Sequence, residues 1–149
     1  IMTRVARDIS EENLKKLFEH PSILKLRHDC SPDFPIINPA IAYYSAFIDD
    51  EFVGAFLEVK TDPIDSEIHV LLFPSSVKKL RELCVKFLSL VFNHSERVTA
   101  ITLGDHRTMI NLAIKLGFII EGFKRNAFKK SGQYLNAYYL GLLKSEFKE

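Results

Sequence analysis

Three features of the sequence predict an α/β domain with a central mixed β-sheet flanked by helices. Short runs rich in β-branched and aromatic residues alternate with segments whose apolar residues recur at helical spacing. The clearest of these segments begins at Pro74 and repeats apolar residues at steps of three and four from Val77 to Phe92. It lies between two apolar runs, 67–73 and 98–103, which we expect to be buried strands. A strand, a helix and a strand in this order predict a parallel pair with a right-handed crossover.

The N-terminal part of the chain predicts one strand and two short helices. The strand is expected over 5–8, and Ser10 fits a helix N-cap because Glu11 and Glu12 follow it. Pro21 is expected to end this first helix, and the apolar residues after it predict a second short one. Residues 31–39 hold three prolines and predict a loop long enough to frame a pocket.

The remaining segments predict two hairpins and one further helix. Strands over 43–48 and 52–59 flank a turn at Asp49-Asp50. A helix over 107–116 is expected to end at Gly117, which suits a left-handed C-cap. Strands over 118–128 and 133–143 flank a glycine-containing loop at 129–132. Because no linker or repeat interrupts this order, we expect a single domain over 1–149.

Composition and charge limit the classes of function. Twenty Lys and Arg against nineteen Asp and Glu give a formal charge of +1, which argues against a polyanion-binding protein. Two cysteines, Cys30 and Cys84, cannot form a disulfide framework, and no apolar run reaches the roughly 18 residues of a membrane span. The start of the chain lacks the apolar core of a signal peptide. We therefore expect a soluble cytoplasmic protein with no membrane partner.

The sequence lacks the signatures of several enzyme classes. Its five histidines show neither the i, i+4 spacing nor the nearby cysteines of a zinc site, so we expect no metal. It contains no Gly-x-Ser-x-Gly, no Gly-x-Gly-x-x-Gly and no Gly-Lys-Ser/Thr motif, which argues against hydrolase, dinucleotide-binding and phosphate-loop functions. Cys84 lies on the apolar face of the predicted long helix and is expected to be a core residue.

Positive charge gathers at the start of the predicted long helix. Lys78, Lys79 and Arg81 lie in the first turns, where backbone N–H groups lack helical partners and the helix dipole is positive. An anion-binding site and a solvated polar face both stay open, and the spacing alone favours the solvated face. The position after a buried strand of a parallel pair favours the anion site, because ligands of α/β proteins gather at the carboxyl ends of strands.

Acidic residues concentrate in the middle of the chain. Residues 49–67 hold seven acids against Lys60, a local charge of −6. This segment indicates either an acidic lip for a cationic amine or the ordinary solubility of a hairpin.

The C-terminal half resembles the GCN5-related N-acetyltransferase (GNAT) superfamily, and particularly its short phage-type members. Residues 106–118 are similar to the family signature Asn-x-x-Ala-x-x-Leu-x-x-x-Leu-Gly-Phe, ending in Leu116-Gly117-Phe118. Glu121-Gly122 continues the likeness, and residues 68–74 look like the strand before the family's pyrophosphate loop. The resemblance covers roughly 41–146 and implies the GNAT-like acyl-CoA N-acyltransferase fold.

The resemblance implies an acyl-CoA ligand, with acetyl-CoA as the acyl donor. Its pantetheine would lie between the splayed strands at 71–73 and 101–103, beside Leu71, Leu72 and Phe73. Its pyrophosphate would bind backbone N–H groups of Val77, Lys78, Lys79 and Leu80. Three positions depart from the family: residues 75–80 contain no glycine, His106 replaces the usual Asn among the cofactor-binding residues, and Ala113 stands where a tyrosine often acts as general acid.

The resemblance further implies an N-acetyltransferase that moves an acetyl group to a small-molecule or peptide amine. Glu67 and His69 are the candidate bases, because both lie two apart in the strand beside the expected thioester and face the same side. A backbone N–H near Leu72 or Phe73 is the candidate oxyanion donor.

A catalytically inactive GNAT-fold binding or assembly protein, with a phage origin as one version, is the competing interpretation. It predicts a pocket over Leu72 filled by Phe73, Phe118 or Tyr139, and a homodimer stays open. For the basic hairpin with Lys124, Arg125, Lys129 and Lys130 we expect solvated surface first, contact with the adenosine 3′-phosphate of CoA second and nucleic acid last.

Overall fold

The computed structural model describes residues 1–29, 31 and 37–149, and in this part the chain forms seven strands and four α-helices. The strands are β1 (Thr3–Arg7), β2 (Ile41–Ile48), β3 (Glu51–Lys60), β4 (Asp65–Leu72), β5 (Arg97–Leu103), β6 (Ile119–Lys130) and β7 (Gln133–Leu143). The helices are α1 (Glu11–Glu19), α2 (Pro21–Leu24), α3 (Leu80–Val91) and α4 (Arg107–Lys115). Two 3₁₀ segments lie at Pro74–Lys79 and Lys144–Glu146. None of the described helices is long and apolar enough to cross a bilayer.

The seven strands form one sheet in the order β1-β2-β3-β4-β5-β7-β6. Each neighbouring pair is antiparallel except β4 and β5, which run parallel. Their pairing extends only from Asp65 opposite Arg97 to Ile68 opposite Ala100. Beyond this point β4 stays paired with β3 and β5 with β7, so the sheet opens into a V. The predicted mixed sheet, split at its parallel pair, is confirmed.

Helices cover both faces of the sheet. On the face that we call the back, Phe56 of β3 stacks on Phe87 of α3 with ring centroids 4.3 Å apart. This core also contains Ile110 of α4 and Phe118. The opposite face, called the front, packs against α1 and α2 through a second cluster of buried residues, Leu17, Phe18, Ile23, Ala55 and Phe73. Because side chains alternate along a strand, β4 and β5 present one set of residues to each face.

The turns follow the local chemistry of their residues. Ser10 caps α1 by accepting a hydrogen bond from the Asn13 N–H at 3.1 Å, as predicted. Asp49 and Asp50 both have positive φ in the two-residue turn between β2 and β3, which matches the predicted hairpin. Gly117 has φ +105° after α4, as expected for a C-cap.

The start of the long helix differs from the prediction. Residues Pro74–Lys79 form a 3₁₀ segment, and the α-helix begins only at Leu80. The cause is local, because the Phe73 carbonyl accepts both the Ser76 N–H at 3.0 Å and the Ser76 hydroxyl at 2.7 Å. Such short-range serine bonds compete with the α-helical ladder.

Pro21 ends α1 as predicted, because the preceding His20 is extended with ψ 130°. Pro21 also begins α2, since a proline at the first helical position has no N–H to satisfy. Two further features differ from the prediction. The turn between β6 and β7 is the two residues Ser131 and Gly132, shorter than predicted. The strand over 67–73 is half-buried rather than fully buried, since the V exposes one of its edges. Most of the predicted loop over 31–39 lies outside the described residues.

Candidate active site

A cavity of about 430 Å³ lies where β4 and β5 separate, within the size range of small-molecule sites. Its front wall consists of residues from β4, from the segment after α2 and from β6: Glu67, His69, Leu71, Leu26, His28 and Phe128. Its back wall includes core residues from β3, from α3, and from α4 and its C-cap: Phe56, Cys84, Phe87, Leu88, Leu112 and Leu116. The cavity therefore reaches both faces of the sheet through the V.

Glu67 and His69 lie together on the front side of the cavity. Their side chains lie side by side, with Glu67 Oε2 3.0 Å from His69 Nε2. The hydrogen bond from His69 holds the pKa of Glu67 below its ordinary value, against the effect of burial. An imidazole that a carboxylate orients in this way can accept a proton from a bound group. The structure thus brings the two predicted bases together at the cavity.

His106 presents an unsatisfied nitrogen at the cavity wall. It follows β5 and precedes α4, and its side chain is 21% exposed. Nε2 is buried and has no hydrogen-bond partner in the described part of the chain, although Asp105 Oδ1 lies 3.4 Å away. Burial lowers the pKa of His106, which favours the neutral imidazole. A buried unpaired nitrogen is costly, so a polar atom of a bound ligand would relieve it.

Of the three residues predicted to contact pantetheine in 71–73, one lines the cavity and two pack in the apolar cores. Leu71 lines the cavity, whereas Leu72 packs against the back core. Phe73 is buried under α1 and α2, and its N–H donates to the Val53 carbonyl at 2.8 Å. The Phe73 N–H is therefore already used and cannot be the oxyanion donor, which leaves Leu72 as the candidate.

The predicted pyrophosphate site at residues 77–80 lies outside the cavity wall. Val77 is 67% exposed, and the Leu80 N–H donates to the Val77 carbonyl within the 3₁₀ segment. Lys78 is exposed, and Lys79 Nζ lies 3.9 Å from Glu82. An anion here would meet the two lysine side chains, but the internal i→i−3 hydrogen bonds of the 3₁₀ segment use backbone N–H groups that the predicted pyrophosphate site requires.

The acidic residues of 49–67 do not gather at the mouth of the cavity, as the predicted acidic lip for an amine requires. Asp49 and Asp50 lie in the first hairpin turn, and Asp62 caps the turn before β4 by accepting N–H bonds at 2.8 Å. Glu58 is buried on the back face, with Tyr44 and Ser66 as donors. Of these seven acids only Glu67 lines the cavity.

The basic hairpin is partly neutralised. Lys130 Nζ lies 3.1 Å from Asp105 Oδ2, and Lys129 Nζ lies 5.4 Å from the centre of the Tyr134 ring. Lys124 and Arg125 are exposed on β6.

Sequence reasoning missed the front wall after α2. His28 and Phe128 are 100 positions apart in the chain, yet their ring centroids lie 4.6 Å apart. No periodicity or motif marks either residue, because a long-range contact creates the wall.

The sequence matches no protein-family model and no curated protein. Solved structures of acetyltransferases, however, have the same fold. The spermidine N-acetyltransferase of Vibrio cholerae, solved with CoA and spermine, is 13% identical with a TM-score of 0.80, over 97% of this chain and 96% of that chain. A Staphylococcus epidermidis protein provisionally described as an acetyltransferase is 14% identical with a TM-score of 0.75, over 96% of this chain and 99% of that chain. The chain therefore has the GNAT acetyltransferase fold, as the resemblance predicted.

Proposed function

We propose that this protein is an acyl-CoA-dependent N-acetyltransferase that moves the acetyl group of acetyl-CoA to an amine. One observation carries the proposal: the cavity passes through the sheet at its split and holds a carboxylate–imidazole pair at its front end. Such a passage lets two substrates approach one point from opposite faces. The Vibrio cholerae enzyme with this fold was solved with CoA and spermine, which supports both substrate classes.

The donor would enter from the back. A thin chain such as pantetheine fits between β4 and β5, beside Leu71 and the apolar residues of α3 and α4. The unpaired His106 Nε2 offers one polar contact on this path. The pyrophosphate would lie near Lys78 and Lys79, where the V meets the start of α3.

The acceptor amine would enter from the front, where Glu67 and His69 lie. An ammonium group gives its proton to His69, while Glu67 stabilises the imidazolium that forms. The amine lone pair then attacks the thioester carbonyl carbon, forming the C–N bond. The C–S bond breaks, CoA leaves as a thiolate, and the second amine proton leaves to solvent or sulfur. The products are an amide and CoA.

The inactive interpretation expects the pocket to be filled. Phe73 lies in the α1 and α2 cluster instead, Phe118 forms part of the cavity wall, and Tyr139 is not among the lining residues. The cavity is open, which counts against a protein that has lost its substrate site.

The test has two stages. Calorimetry with acetyl-CoA measures donor binding, and release of free CoA thiol in the presence of amines measures transfer. We expect binding in the wild type and in Glu67→Gln and His69→Gln, with transfer in the two variants reduced about a hundredfold or more. The matched control is Glu51→Gln, an exposed carboxylate at the start of β3. Absence of acetyl-CoA binding at millimolar concentration would overturn the proposal.

A further inference from the structure

We propose that the front half of the cavity is an acceptor subsite for a monoamine that carries an apolar, and preferably aromatic, group. This proposal rests on the proposed function and names the substrate class of the same site. The subsite is walled by Leu26, His28 and Phe128, with Glu67 and His69 at its inner end.

The wall is apolar and aromatic. The His28 and Phe128 rings lie 4.6 Å apart at an angle of 49°, and Leu26 packs against the front cluster. Phe128 is half-buried although β6 is otherwise largely exposed. Aromatic ring faces of this kind favour stacking with a planar group on a ligand.

In the described part of the cavity wall, negative charge is limited to one carboxylate. Among the described residues that line it, Glu67 is the single acid, and none is Lys or Arg. A monoamine brings one positive charge, which the Glu67–His69 pair can accept. A polyamine brings further charges that would lie against Leu26 and Phe128, where desolvation is unfavourable. This composition favours a monoamine over the polyamine that the Vibrio cholerae enzyme binds.

Asp29 is the positioning residue for this wall. Its N–H donates to the Lys129 carbonyl at 2.7 Å, and its carboxylate accepts the Ser131 N–H at 2.9 Å and the Gly132 N–H at 3.3 Å. These three bonds fasten the β6–β7 turn to the segment after α2. His28 directly precedes Asp29, and Phe128 lies just before the turn. The three bonds therefore hold the Phe128 ring against the His28 ring.

The experiment compares three amines with acetyl-CoA: 2-phenylethylamine, butylamine and spermidine. We expect kcat/KM for 2-phenylethylamine to exceed that for spermidine at least tenfold. Phe128→Ala should lower kcat/KM for 2-phenylethylamine about tenfold, mainly through KM, with acetyl-CoA affinity unchanged. The control is Phe123→Ala, because Phe123 is a 57% exposed ring on the same strand outside the cavity.

Asp29→Ala tests the positioning role. It should raise KM for 2-phenylethylamine and leave KM for butylamine and the affinity for acetyl-CoA nearly unchanged, and Asp29→Asn should recover part of the loss. A merely structural defect would instead raise both amine KM values and weaken donor binding together.

Two outcomes overturn the proposal: a preference for spermidine, or an equal effect of Phe128→Ala on all three amines. Binding of acetyl-CoA with either outcome leaves the proposed function in place. If acetyl-CoA does not bind, the proposed function fails, and the subsite is still tested by an NMR titration with 2-phenylethylamine alone. Saturable shifts that Phe128→Ala removes would support the subsite, and their absence would refute it.

Discussion

His94 Nε2 lies 2.6 Å from Glu58 Oε2, so the loop after α3 reaches a carboxylate that is 4% exposed in the back core. Tyr44 donates to the other oxygen of Glu58 at 2.7 Å, and Ser66 donates to Oε2 at 2.6 Å. Every oxygen of this buried carboxylate therefore has a donor, which is the condition for burying a charge at moderate cost.

Glu58 makes stability depend on pH. Burial acts to raise its pKa, but the hydrogen bonds from Ser66, Tyr44 and His94 together hold that pKa below the ordinary value. A lowered folded-state pKa stabilises the protein above the ordinary pKa, and this contribution is lost as the pH falls through the folded value. We expect the free energy of unfolding, measured with urea, to drop below about pH 4.5. In Glu58→Gln the drop should shrink, and stability at pH 7 should fall by about 1–3 kcal/mol.

If the free energy of unfolding of Glu58→Gln drops at acid pH by as much as that of the wild type, other carboxylates cause the pH dependence. Glu51→Gln, on an exposed side chain, provides the reference for a simple change of net charge.

The proposed acetyl transfer should not lose activity through protonation of Glu67 in the neutral range. The hydrogen bond from His69 lowers the pKa of Glu67, which keeps its carboxylate ionised there. Glu67→Gln should therefore lower kcat/KM by a similar factor at every pH between about 6 and 8, measured by the release of free CoA thiol. A factor that changes severalfold across this range would contradict an ionised Glu67.

Two glycines should differ sharply in their tolerance of alanine. Gly54 has φ +125°, and a Cβ there would lie 2.7 Å from the Leu72 Cα. Backbone strain and overlap together should cost about 3 kcal/mol in Gly54→Ala. In Gly141→Ala the new methyl group would meet the ends of the Arg97 and Glu121 side chains, which can move apart. Loss of that exposed ion pair should cost under about 1 kcal/mol. Thermal unfolding of the two variants measures the contrast, and equal losses would contradict it.

The Cys84 thiol should be inert in the folded protein. Burial raises its pKa to about 12, so the reactive thiolate is scarce at pH 8. Peptide mapping after treatment with iodoacetamide should find Cys84 unmodified in the native protein and modified in urea. Rapid alkylation of the native protein would contradict the burial of this thiol.

The sequence predicted features that depend on local periodicity or on a recognisable motif. The apolar steps of α3 and the runs beside it predicted the parallel pair, and Leu116-Gly117-Phe118 indicated the fold. The Glu67 and His69 spacing placed both side chains on one face of β4, where they lie together.

Features formed by distant segments were not predictable in this way. The Asp29 bonds to the β6–β7 turn join residues 102 and 103 positions apart, and no propensity encodes such a contact. The 3₁₀ segment before α3 depends on the hydrogen bond from the Ser76 hydroxyl to the Phe73 carbonyl. Whether this hydroxyl bonds the carbonyl or water depends on the packing of the folded protein.

The end of the β4–β5 ladder at Ile68 and Ala100 gives this sheet two interior edges in addition to the outer edges of β1 and β6. The N–H and C=O groups along a strand edge are available for hydrogen bonds, and those of an outer edge can pair with a strand of another chain. The interior edges face each other across a gap that a folded neighbour cannot enter, whereas a slender molecule carrying its own amide groups can. Occupancy of the gap would then slow amide hydrogen exchange in the second half of β4 and in β5, while the rates at β1 and β6 stay as they are.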